Sequence, residues 1–159
     1  MALFKDEAPV LGDRAGIDSQ TWASVVPLAI TTARVLGPIS ASTVQGYWLC
    51  AGVPEACTVV GIRANYTTAG PASLTASVRK ITDGTSAPTA SAGATVVELL
   101  ASALPLDATA NVQQIGSLST TASALQLSAK DQIGVSISSA TQTGLVGLTI
   151  EVLLQRRVK

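Results

Sequence analysis

From Thr21 onward the chain alternates apolar and polar residues at every second position, the period of a strand with one buried face. Trp22 to Ile30 and Thr31 to Leu36 read as one or two strands broken at Pro27. Val44 to Cys50 reads as a strand. So does Cys57 to Tyr66, with Val60, Ile62, Ala64 and Tyr66 on one face and Arg63 and Asn65 on the other. In Ser73 to Thr82 the inward set is Leu74, Ala76 and Val78, and the outward set is Thr75, Ser77 and Arg79. Ile133, Val135 and Ile137 alternate with Gly134, Ser136 and Ser138. The last segment, Leu145 to Gln155, places Val146, Leu148, Ile150, Val152 and Leu154 on one face, with Leu153 as an apolar exception among Thr149, Glu151 and Gln155.

Turn signals separate these runs at Ala69-Gly70-Pro71, Thr82-Asp83-Gly84-Thr85 and Ala140 to Gly144. Thr85 to Gly93 (TSAPTASAG) is low in complexity and is expected to be an exposed loop, with a second exposed hairpin tip at Ser139 to Gly144. Thr95 to Glu98 has the spacing of a helix capping box ahead of an apolar run that ends at Pro105. The β-branched pair Val96-Val97 favours a strand there instead. Many short strands with turn signals between them predict an all-β fold. The expected form is an antiparallel β-sandwich, jelly-roll-like, with an extended N-terminal arm. No internal repeat supports a propeller or solenoid.

Residues 1–20 stand apart. They hold four of the ten acids (Asp6, Glu7, Asp13, Asp18) together with Pro9, Gly12 and Gly16, and no period runs through them. They read as an arm that orders only against something else, or as a frayed end; Leu3, Phe4, Val10, Leu11 and Ile17 favour docking. Residues 21–159 form the β-sandwich domain. At 159 residues the chain has enough length for a real core without metal or disulfide support. Aromatics make up only 3%, so that core must be aliphatic. Net charge is zero, which argues against nucleic acid or an anionic membrane as partner and removes a barrier to self-association. The N-terminus lacks a secretory pattern and no apolar run reaches the ~20 residues of a membrane span, so a soluble protein made in the host cytoplasm is expected.

Candidate chemistry is sparse. With no histidine there is no histidine-based triad, and no phosphate-binding glycine loop occurs. Between Lys80 and Lys130 there is no basic residue, and the acids there are Asp83, Glu98 and Asp107. Scattered acids give no glycosidase pair. The reading is a non-enzymatic protein with no cofactor and no metal. Asp83-Gly84 reads as a turn rather than a calcium site. Cys50 and Cys57 flank a six-residue loop; they read as buried thiols, with a cross-hairpin disulfide as the alternative. Trp48, with Gly46 and Cys50 as same-face neighbours, fits packing better than display, although Trp22, Tyr47, Trp48 and Tyr66 could form a sugar-stacking platform. The basic end, Gln155 to Lys159, reads as solvated.

The segments Ser77-Val78-Arg79-Lys80-Ile81-Thr82-Asp83-Gly84 and Leu125-Gln126-Leu127-Ser128-Ala129-Lys130-Asp131-Gln132-Ile133-Gly134-Val135 resemble small virion proteins of tailed bacteriophages. The class they are most similar to is the head decoration, or cement, proteins. The second segment is similar to a strand–turn–strand unit of jelly rolls, and the resemblance runs in general style from about Thr31 to Arg157. It implies a homotrimer on the capsid surface, with the major capsid protein as partner and residues 1–20 as the clamping arm. No individual binding residue carries over from it.

The expected function is therefore a capsid decoration protein acting through subunit interfaces. Leu3, Phe4, Val10, Leu11, Ile17, Trp22 and Leu153 are the candidate interface residues. The competing expectation is a phage tail or fibre module that recognises a receptor glycan, which would need displayed aromatics such as Tyr47 or Trp48. A main shell subunit is disfavoured, because the sequence offers no basic inner surface beyond its C-terminus.

Overall fold

The protein is described by a computed structural model covering residues 27–35, 44–138 and 144–157, with 27–35 described through the backbone. The expected arm, with Leu3, Phe4, Val10, Leu11 and Ile17, lies outside the described residues. So do Trp22 and the hairpin tip at 139–143.

Among the described residues ten strands form two five-stranded sheets. Their ranges are β1 Pro27–Val35, β2 Gln45–Cys50, β3 Cys57–Asn65, β4 Thr75–Ile81, β5 Val96–Glu98, β6 Leu104–Pro105, β7 Gln114–Ile115, β8 Gln126–Leu127, β9 Gln132–Ile137 and β10 Leu148–Arg156. One short helix, α1 Ala122–Leu125, precedes β8. The first sheet runs β1-β10-β3-β7, with β8 also on β3; the second runs β2-β9-β4-β5, with β6 also on β4. Every pairing is antiparallel. First strand pairs with last and second with second-last; further in, β3 pairs with β7 and β8, and β4 with β5 and β6. That is a long antiparallel ribbon rolled into two layers, the jelly roll.

The inner faces of both layers contribute to one core. Val59, Ile62, Ile150 and Val152 from the first sheet belong to the same cluster as Ala76, Val78, Ile133 and Val135 from the second. Among the described residues the core is aliphatic apart from Tyr66, the one fully buried aromatic. Burial of each large side chain contributes roughly 1.5–3 kcal/mol, which is why strands this short hold together.

Three irregularities change which residues face out. In β3, Val59 lies opposite Leu154 and Gly61 opposite Leu153, so Val60 is an extra, bulged residue. Expected inward, Val60 instead points to solvent and is 43% exposed. Val146, also expected inward, is 36% exposed, because Gly147 at φ +68 interrupts the alternation before Leu148. In β2, Leu49 is the bulged residue, so Leu49 and Cys50 both pack against the core.

The segment at 95–104 resolves as a strand at Val96–Glu98, not a helix. The helix lies instead at Ala122–Leu125, shortening the expected 125–127 strand to Gln126–Leu127. Cys50 and Cys57 do not face each other across a hairpin, since their loop crosses from the second sheet to the first. Both are free thiols: Cys57 is fully buried, and burial pushes its thiol up from the ordinary value.

Candidate functional site

The residues that carry the argument lie on the two outer faces of the sandwich. They differ in what covers them.

The outer face of the β2-β9-β4-β5 sheet is partly covered by the chain itself. Residues 83–95 leave β4 at a turn built around Asp83. Its carboxylate accepts from the Thr85 and Ser86 amides at 3.0 and 2.9 Å and from the Ser86 hydroxyl at 2.6 Å. Those donors, the Ser86 hydroxyl first, hold the Asp83 carboxyl well below the usual carboxylate range. The carboxylate thus acts as a turn former. The segment then folds back over the sheet, and Pro88 is buried. A Cβ on Gly134 would come within 2.7 Å of Pro88, and one on Gly46 within 2.9 Å of Thr89, so both bare positions are what allow the loop to lie flat. The low-complexity stretch is exposed over most of its length, as expected, but buried Pro88 straps it to the sheet.

Arg79 fastens the strap. Its Nε donates to Glu98 Oε1 at 2.6 Å, and Nη1 donates to the carbonyls of Pro88 and Ala90 at 2.8 and 2.9 Å. Between strap and sheet lies a cleft of about 280 Å³. Its floor is Thr75, Ser77, Ser136 and Ser138, and Thr89 and Ser91 face it from the strap. Ser77 and Ser136 pair directly across the strands, and the Thr75 amide donates to Ser138 Oγ at 3.0 Å. The lining is hydroxyl-rich, with Val44, Ala90 and the Arg79 side chain completing it. Trp48 sits opposite Gly134 on this face and is 45% exposed, so it is displayed where packing was expected. Tyr47 packs against the core instead.

The outer face of the β1-β10-β3-β7 sheet is open at its described side chains. Leu153 lies there, half-buried, with its Cδ1 2.9 Å from where a Cβ on Gly61 would be. The bulge places Val60 beside it. Arg63 pairs in register with both Glu151 and Ile115, and Ile115 is 75% exposed. The Arg63–Glu151 ion pair is long, 4.0 Å, and its guanidinium is 43% exposed. Val60, Leu153 and Ile115 thus make an apolar strip interrupted by one charge-balanced row.

A polar cluster closes one end of the sandwich. Lys80 points inward from β4 and donates from Nζ to the carbonyls of Ser123 and Gln126, both at 3.0 Å, so it caps the end of α1. Burial lowers its pKa. Asp131 accepts from the Ser128 amide at 2.8 Å and shapes the turn into β9. Two arginines of the basic end, which was expected to be solvated, have partners. Arg157 donates to the Leu127 carbonyl at 2.8 Å, and Arg156 meets Glu55 at 2.6 Å. Among the described residues no His/Cys/Asp/Glu group has the geometry to hold a metal ion.

No protein-family model, no curated protein and no solved structure matches the chain. Of the seven candidate interface residues, Leu153, on the open face, is the one that falls among the described residues. Sequence reasoning missed Val60, Ile115 and Arg63. The bulge that exposes Val60 had one visible signal, Gly61 inside a strand.

Proposed function

We propose that this chain is a non-enzymatic structural protein of a virion, a decoration protein that binds a capsid surface and its own copies through one face of a jelly roll. The observation that carries the reading is the unequal treatment of the two outer faces. One is partly covered by the chain's own strap, which leaves Trp48 and Val44 exposed beside it. The other presents Val60, Leu153 and Ile115 to solvent, as a protein built to meet another protein does. The partners in this reading are the major capsid protein and further copies of the chain. Immunogold labelling of particles from the organism that encodes the chain tests it. Label over heads is the expected result, and label absent from heads contradicts it.

A second reading, a glycan-binding tail or fibre module, draws on Trp48, displayed on the face that also carries the hydroxyl-lined cleft. Its test is a glycan-array signal lost in Trp48→Ala. No signal with the unaltered protein removes it.

A further inference from the structure

We propose that the outer face of the β3–β10 pair joins two copies of this chain about a two-fold axis that runs along the strands. The inference rests on the structural-protein reading and names the partner of its open face as a second copy.

The argument is one of self-complementarity. On this face Arg63 sits directly across from Glu151, and Gly61 directly across from Leu153. A half-turn about an axis parallel to the strands, lying between two such faces, sets β3 of each copy over β10 of the other. Arg63 then meets the second copy's Glu151, and Glu151 meets the second copy's Arg63. In the same operation Leu153 meets the second copy's Gly61, where the missing side chain keeps the face low enough for close approach. An isologous contact requires this reciprocity: every group must find its complement on an identical surface.

The charges are suited to the exchange. The 4.0 Å pair within one copy is long and half-exposed, so it contributes little to the isolated chain. Stacking two faces gives each carboxylate a second guanidinium and displaces water from both. The apolar positions Val60 and Leu153 lie on one side of that row, and Ile115 extends the row onto the neighbouring strand. Two sheets packed with aligned strands bury such side chains between them. Zero net charge leaves no long-range repulsion to oppose the approach.

Light scattering over a dilution series, with folding checked by circular dichroism, tests the contact. Wild type should associate reversibly. Arg63→Glu makes the row wholly acidic and Glu151→Arg makes it wholly basic, and each alone should weaken association by about tenfold or more. Mixed one to one, the two variants should recover it as a heterodimer. A wild type that stays monomeric, variants that assemble as wild type does, or a mixture that fails to recover would each overturn the contact. The capsid reading fails separately. Heads that label while Arg63→Glu assembles normally would remove this contact alone; unlabelled heads with a recovered heterodimer would remove only the capsid reading.

Discussion

Each outer face carries an arginine–glutamate pair, and the two pairs are put to different use. Arg79 and Glu98 meet at 2.6 Å with the guanidinium only 15% exposed, and the same guanidinium holds two strap carbonyls. Arg63 and Glu151 stand 4.0 Å apart in water. The first pair fixes a segment of the chain onto its own sheet. The second holds nothing in place within the chain. Two sheets that share one core thus end in different surfaces: one strapped by the chain itself and one open at its described side chains.

The contrast can be broken on the strapped side first. Arg79→Met removes hydrogen bonds to a charged donor and leaves Glu98 and two carbonyls unpaired. Chemical denaturation should show a loss of about 2–3 kcal/mol. Arg63→Met, the matching change on the open side, should lower stability by less than about 1 kcal/mol. Equal losses would erase the distinction between the two pairs.

The glycines sharpen it next. Gly134→Ala forces a Cβ against the ring of Pro88, which the strap holds in place, and should cost about 1–3 kcal/mol. Gly61→Ala meets only the end of the Leu153 side chain, which can swing toward solvent, so its effect on denaturation should be the smaller of the two.

The smallest effect concerns the turn that starts the strap. The folded-state pKa of Asp83 is depressed, so its contribution is fully present above the unfolded value of about 4 and fades as pH falls through the folded value. The stability gap between wild type and Asp83→Asn should therefore be widest near neutrality and narrow in acid. A gap independent of pH would show that the carboxylate charge does not hold the turn.

Much of this fold was legible because its strands keep strict alternation. Leu74, Ala76 and Val78, and Ile133, Val135 and Ile137, are buried as the period-two pattern requires. Legibility failed where a single residue breaks the count. The bulge at Val60 and the left-handed Gly147 each reverse the face of a neighbour, and neither changes local composition. The anchoring of the strap escaped notice for a different reason. Ser, Thr, Ala and Pro look solvated in isolation, and only Gly46 and Gly134, side-chain-free inside strands, mark where another backbone comes close. α1 is too short for a helical period to show. The open face could not be assembled from sequence at all, because Arg63, Ile115 and Glu151 meet only through pairings between distant strands.

The central claim is that copies meet on the open face and not on the strapped one. The most direct measurement is the solution mass, by light scattering at matched concentrations, of Val60→Glu and Ser91→Glu. Both residues are exposed, one on each face. The account predicts that Val60→Glu runs as a monomer while Ser91→Glu keeps the wild-type mass. Wild-type mass for Val60→Glu, or dissociation by Ser91→Glu, would contradict it.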